Sequence, residues 1–421
     1  MNRATAVDPS ASPFVPDELR RYARHFSLDG VGMEGQTTLS RARVLVVGAG
    51  GLGSPAALYL AAAGVGHITL VDPDRVELSN LQRQVLHGTP DVGRAKVVSA
   101  ARRLRALNPE IVVEAREEAL TSGNARGLVA DHDVVVDGSD NFPTRYLVND
   151  ACVLEGRPWV YGAILRWEGQ MSVFAAPGGP CYRCLFRDPP PPGMVPGCAE
   201  AGVLGVLPGV VGSLQALEAI RLILGEAPGP AAADGVTPSR SAEPSGAVGR
   251  LLVFDARALE FRWVHPRRDP ACPVCGDDPK ILDLVDYDWF CATGELRPAG
   301  SGPGAGEGIP ELGPGELARR MESAAPPLLL DVREDWEWAA GNLEDLGATH
   351  LPLRKVAGQA SDPGWLEKAR QRGAVTVCES GRRSLDAAHL LLDAGVREVA
   401  HLAGGMAAWR AEPARATGEG S

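Results

Sequence analysis

The chain lacks most of what would direct it to nucleic acid, a membrane or an oxidising compartment. Its net charge is -11 and its pI near 5.3, which excludes the broad basic surface that phosphate neutralisation requires. Residues 1–16 lack the basic-then-apolar order of a secretory signal. The most apolar stretch, residues 204–224, is broken by Pro208, several glycines, Glu218 and Arg221, and reads as a core helix. No G-x-x-x-x-G-K-[ST] run occurs, so the commonest phosphate loop is absent. There is no internal repeat. Cysteine is scarce, eight in 421 residues, and half of it stands in two C-x-x-C pairs. In a reducing compartment that pattern favours metal binding and thiol chemistry over disulfides. The expectation is a cytoplasmic protein with small folded partners, no nucleic acid and no membrane.

What is present is enough chain for two globular units, with 45% hydrophobic residues. Glycine and proline cluster at 226–249 and again at 298–308, and the second run is the better boundary because helix and strand patterns restart at Leu317. The predicted division is a first domain over 1–285, a Gly/Pro-rich linker over 286–310 and a second domain over 311–421. Residues 17–26 read as a capped helix. Strands are expected at 44–47, 67–71, 111–115 and 133–136, with helices opening at Ser54-Pro55 and spanning 93–107 and 144–154. Further strands are expected near 158–165 and 170–175. Such alternation predicts a mostly parallel, doubly wound α/β sheet of Rossmann-like type.

Gly48-x-Gly50-Gly51-x-Gly53 follows a strand and opens a helix, where backbone N–H groups and a helix N-terminus can receive phosphate oxygens. Asp72 ends the next strand, where an acid can bind ribose hydroxyls. Taken alone this fits an NAD enzyme as well as an ATP enzyme. Asn80-Leu81-Gln82-Arg83-Gln84, Lys96 and Asp137-Gly138-Ser139-Asp140-Asn141 add two cations and an acid. Adenylyl transfer needs such groups to neutralise phosphate charge and hold magnesium, and hydride transfer does not.

These residues resemble the ubiquitin-activating superfamily, in the branch of molybdopterin-synthase and thiamine-sulfur-carrier adenylyltransferases (MoeB/ThiF type), over most of residues 18–281. The resemblance implies that Gly51, Asp72, Ser79, Asn80, Leu81, Gln82, Arg83, Lys96, Asp140 and Asn141 bind ATP, with Asp140 holding Mg2+. It also implies that Arg24 enters the neighbouring subunit's site as an arginine finger, which makes a homodimer.

Cys181-x-x-Cys184 and Cys272-x-x-Cys275 each offer two thiolates at the bite of one tetrahedral edge, and together suit a closed, structural Zn2+ site. A redox pair is the alternative. The resemblance places zinc here. Cys198 stands alone after the proline run 189–192. An isolated cysteine is usually a small buried hydrophobe, but its placement matches the acceptor cysteine of the family's sulfur-transferring members. Cys152 and Cys291 are read as structural.

Residues 309–411 resemble a single rhodanese domain, through 328–334, Cys378-Glu379-Ser380-Gly381-Arg382-Arg383-Ser384 and 402–409. Cys378 falls at a strand-to-helix turn, where inward N–H groups and the helix dipole favour thiolate or persulfide. Arg382 and Arg383 add positive potential for an anionic donor, whereas Glu379 sets an anion beside the nucleophile. A phosphatase loop of this type is usually one residue longer. His350, His389 and His401 are taken as structural. Segment 341–348 is longer than the family's usual turn.

The combined expectation is ATP-dependent adenylylation of the C-terminal glycine of a ubiquitin-like sulfur carrier (MoaD/ThiS-like, ending in Gly-Gly). Sulfur then passes from a Cys378 persulfide, with Cys198, Asp140, Arg24 and Arg83 also catalytic. Thiosulfate or a cysteine desulfurase persulfide would be the donor. The rivals are a conjugation activator working through a Cys198 thioester, and an NAD-binding sensor with a rhodanese-fold interaction module.

Overall fold

Short runs of valine, leucine and isoleucine make the centre of the first unit. β1 (Arg43–Val47), β2 (His67–Val71), β3 (Val112–Arg116) and β4 (Val134–Asp137) pair in parallel. β1, β2 and β4 are buried nearly end to end, as strands covered on both faces must be. β5 (Trp159–Leu165) adds in parallel to β4, and β6 (Glu168–Phe174), β7 (Leu251–Asp255) and β8 (Glu260–Val264) extend the sheet antiparallel. The order is β3-β2-β1-β4-β5-β6-β7-β8. The computed structural model describes residues 13–190, 202–225, 246–293, 296–299, 309–379 and 381–411.

Alternate residues of β1 serve opposite faces. Val44 and Val46 meet the helices Gly53–Ala63, Lys96–Leu107 and Val206–Ile223; Leu45 and Val47 meet Ala125–Ala130, Phe142–Glu155 and Tyr287–Thr293. Leu60, Ile68 and Leu70 are fully buried in the first layer, each contributing about 1.5–3 kcal/mol. The helix Val206–Ile223 is long and apolar enough to cross a membrane by composition, but Val211, Ala216 and Ala219 are spent on this core. It packs on Gly53–Ala63 and β5, as a core helix should.

Several expectations change. The sequence pattern does not show β7 and β8, which with β6 pair antiparallel beside the parallel strands; β8 is exposed along its whole length and shows no alternation. Residues 17–26 form two short helices, Pro16–Arg21 and Ala23–Phe26. The helix after the glycine loop starts at Gly53, so Ser54 lies inside its first turn and does not cap it. Part of the expected linker 286–310 belongs to the first unit's core. The helix Tyr287–Thr293 buries Tyr287 and Phe290 in the core, and Asp286 pairs with Arg297 at 2.5 Å.

The chain divides into two compact units, 1–302 and 303–421. In the second, β9 (Glu311–Leu312), β10 (Leu328–Asp331), β11 (Thr349–His350), β12 (Ala374–Val377) and β13 (Val399–Leu402) form a parallel sheet of order β11-β10-β12-β13-β9. Cores line both of its faces.

Candidate functional site

Strand order reverses between β1 and β4, the switch point beyond whose carboxyl ends open α/β sheets bind ligands. The glycine loop leaves β1, and residues 138–141 leave β4. They touch backbone to backbone: a Cβ on Gly53 would lie 1.8 Å from the Gly48 carbonyl oxygen, and one on Gly138 would lie 2.8 Å from Gly53 N. Only glycine permits that approach. Gly51 faces Pro208 and the Arg83 side chain.

The loop is held from two sides. Asp72 Oδ2 accepts from Ala49 N at 2.8 Å and its Oδ1 from Asp74 N at 2.8 Å. His87 Nε2 lies 2.9 Å from the Ala49 carbonyl oxygen and Nδ1 lies 3.0 Å from Ser99 Oγ. A carbonyl only accepts, so Nε2 carries the proton. Burial holds the His87 pKa down, which keeps the ring neutral. His87 went unnoticed in the sequence because nothing local links it to Ala49.

The predicted cations are present but engaged. Lys96 Nζ lies 2.7 Å from Asp74 Oδ2, with Lys96 nearly buried and Asp74 exposed. Arg83 Nη2 donates to Asn80 Oδ1 at 2.6 Å, within the turn Leu78–Asn80 that also carries Ser79; Leu81 and Gln82 follow it. Asp140 is exposed. Asn141 caps the helix Phe142–Glu155 by accepting from Thr144 N at 2.9 Å. Arg24 is exposed on its short helix. Asp137, beneath Asp140, is fully buried; burial pushes its carboxyl up to about 6, with Arg145 pulling it back.

The four zinc-pair cysteines converge although two lie in residues 181–184 and two in 272–275. All four sulfurs are within 4.8 Å of one another, with Cys181–Cys272 at 3.5 Å and Cys184–Cys275 at 3.3 Å. A tetrahedral Zn–S4 centre has edges of about 3.8 Å, so the donor set fits zinc. Asp269 N donates to Cys184 Sγ at 3.3 Å, and hydrogen bonding from Cys181 depresses the Cys184 and Cys272 thiols. Between Cys181 and Cys184, Arg183 turns inward onto Asp150, at 2.8 Å, and that carboxylate also accepts from Tyr287 Oη. Cys152 is buried and its thiol pushed well up; partial burial pushes Cys291 up to about 12. Cys198 lies outside the described residues.

In the second unit Cys378 directly follows β12 and is fully buried. Gly381, at φ +98°, aims its N–H at Cys378 Sγ (3.1 Å) and begins the helix Arg382–Asp393. Met406 N donates to the Cys378 carbonyl at 2.8 Å. The charges around the loop differ from expectation. Glu379 is not a bare anion: Arg410 reaches it at 2.5 Å and Arg333 at 3.2 Å. Arg333, fully buried, also pairs with Asp331 at 2.7 Å and donates to the Gly341 carbonyl, so segment 341–348 packs on this network. Arg383 is held by both oxygens of Glu337 at 2.6 Å and is spent on fixing the loop; Ser380 and the Arg382 side chain lie outside the described residues. His350 bonds the Arg333 carbonyl and His401 pairs with Glu311, as structural histidines do.

The ThiF family profile matches residues 22–274 and a rhodanese-like domain profile matches 313–412. A Mycobacterium tuberculosis protein named "Probable adenylyltransferase/sulfurtransferase MoeZ" is 44% identical over 407 residues, 96% of this chain and 95% of its own. The "Sulfur carrier protein adenylyltransferase" of Thermus thermophilus is 55% identical over 283 residues, 66% of this chain and 98% of its own. The crystal structure of E. coli MccB with ATP shares the fold at TM-score 0.51 and 23% identity, over 61% of this chain and 73% of that one. This chain belongs to the ThiF family and carries a rhodanese-like domain behind its ThiF unit.

Proposed function

We propose that the chain adenylylates the C-terminal glycine of a ubiquitin-like sulfur carrier and then supplies the sulfur that turns it into a thiocarboxylate. One observation supports this reading: a glycine loop packed on Gly138, with Arg83 against Gly51, shares a polypeptide with a buried cysteine in a rhodanese-type loop. The carrier carboxylate attacks the ATP α-phosphate and pyrophosphate leaves. Gly51 and its neighbours give backbone room for the phosphates, Asp72 the ribose contact, and residues 79–83 and Asn141 the adenosine and phosphate contacts. Lys96 leaves Asp74 for the phosphates, while exposed Asp140 holds Mg2+. Arg24, exposed on its own subunit, enters the partner site of a homodimer.

The Cys378 persulfide then attacks the acyl carbon and AMP leaves, giving an acyl disulfide. Attack by the Cys198 thiolate on Cys378 Sγ releases the carrier thiocarboxylate and leaves a Cys198–Cys378 disulfide, which a cellular thiol reopens. Thiosulfate or a desulfurase-borne persulfide reloads Cys378. Zinc sits on Cys181, Cys184, Cys272 and Cys275 as a structural ion, and the setting is the cytoplasm. The test is mass spectrometry of Gly-Gly-ended carriers incubated with ATP and donor. Cys378→Ala is expected to abolish thiocarboxylate and retain carrier-dependent ATP–pyrophosphate exchange; loss of both, or carrier–protein conjugates in place of thiocarboxylate, overturns the reading.

A further inference from the structure

Three arginines are buried among the described residues, and two of them are fully partnered. Arg183 makes three hydrogen bonds to the Asp150 carboxylate. Arg333 is clamped by Asp331 and Glu379. Arg145 is the exception. It is 9% exposed, its Nε is buried with no hydrogen-bond partner, and no carboxylate among the described residues lies in ion-pair contact with it. An uncompensated buried cation is destabilising, and an unsatisfied polar group of this kind calls for an explanation, an absent ligand among them.

The location narrows the ligand. Arg145 lies in the first turns of the helix Phe142–Glu155, directly after Asp140 and the Asn141 cap. Its guanidinium is set between two rings, 5.5 Å from the Phe142 centroid and 5.7 Å from that of Tyr161. The fields of Asp137 and Asp140 both reach it, and Asp137 Oδ2 is likewise buried without a partner. The glycine loop and Lys96 belong to the other face of the sheet, with the helices Gly53–Ala63 and Lys96–Leu107, and Arg83 lies against Gly51. Arg145 belongs to the aromatic side, with Tyr161 and Tyr182. A triphosphate is served by the first side. A small planar anion at the end of an uncharged peptide is matched by the second, because a guanidinium fork pairs with carboxylate in two parallel hydrogen bonds.

We propose that Arg145 is the residue that receives the carrier's terminal carboxylate and presents it for adenylylation, an inference that rests on the carrier reading above. A phosphate oxygen of the nucleotide is the other source of the same chemistry, and the test separates the two. Full-length protein with a non-hydrolysable ATP analogue is titrated with a Gly-Gly-ended carrier, and again with the same carrier ending in a carboxamide. Wild type is expected to prefer the carboxylate by about 10- to 150-fold, the range for a hydrogen bond to a charged group. Arg145→Gln is expected to erase that preference while the analogue binds within about twofold of wild type, and Arg145→Lys to keep part of it.

Preference retained in Arg145→Gln overturns the proposal. So does a fall in analogue affinity with the end-group preference intact, which assigns the guanidinium to phosphate. A water-bridged structural pair with Asp137 would give no preference in wild type, and that result also overturns it. If Arg145→Gln fails to fold, Arg145→Lys decides: an unchanged preference there sinks the idea. Wild-type protein that binds no Gly-Gly-ended carrier sinks the proposed function as well, whereas binding without end-group preference sinks this inference alone.

Discussion

The two units solve the same local problem, a loop between a parallel strand and a helix, with opposite treatments of charge. In the ThiF unit Asp140 and Arg24 stand exposed, Arg145 Nε is buried without an acceptor among the described residues, and Lys96 pairs with the exposed Asp74. In the rhodanese unit Asp331, Arg333, Glu379 and Arg410 form one chain of ion pairs and Arg383 closes on Glu337. The difference follows from cargo. A triphosphate and a carboxylate bring charge that the site must meet, so its ions stay available. A single sulfur atom brings no comparable charge, and Cys378 Sγ is met by the Gly381 N–H, so the ions around Cys378 are free to fix the loop's shape.

The strongest way to break this contrast is to remove an available charge from the first loop. Lys96→Ala is expected to lower carrier-dependent ATP–pyrophosphate exchange about 100-fold or more while Cys378 still loads with persulfide, measured by mass. A loss of loading would show that the two units are not chemically separate. Next in size, Arg333→Ala leaves Asp331 buried and unpaired, an expected loss of about 3–5 kcal/mol. Calorimetry should show the rhodanese unit's transition falling and the ThiF unit's unmoved; equal shifts in both would contradict the division.

Asp137 sharpens the contrast through pH. Its folded-state pKa, about 6, lies above the ordinary 3.8 because of burial. Below pH about 4 both states are protonated and nothing is lost; from about 4 to 6 only the unfolded chain releases the proton, so stability falls as pH rises, and above 6 the cost is constant. Wild type should lose up to about 3 kcal/mol across that window relative to Asp137→Asn, read from denaturant midpoints; parallel curves would refute it. The smallest effect is expected from Glu379→Gln, which leaves Arg333 and Arg410 facing the loop with one anion fewer. The KM for thiosulfate should fall a few-fold at low salt and converge with wild type at high salt, with stability changed by less than about 1 kcal/mol. An unchanged KM would mean Glu379 does not shape the loop's field.

Features governed by short spacing were legible in the sequence. The glycine loop, the C-x-x-C pairs and the Cys378 turn each depend on neighbours a few residues away. Features made by folding were not. Arg145 looked like any helix residue, because its isolation is defined by β5 and the Asp137 carboxyl. Glu379 was read as a bare anion because Arg333 and Arg410 are distant in the chain. Tyr287 and Phe290 stand at helical spacing, a signal that was available but masked by the Gly/Pro-rich run beyond them.

Arg183 sits between two cysteines of the thiolate cluster and grips Asp150, which lies on the same helix that begins just after Asp140 and contains Arg145. Asn149 of that helix also accepts from Tyr182 N at 2.7 Å. The helix is therefore tied near its middle to the thiolate cluster, while its first turns carry the Asn141 cap and Arg145. Pulling the four sulfurs apart would slacken the splint behind Arg145 without removing a single reacting group.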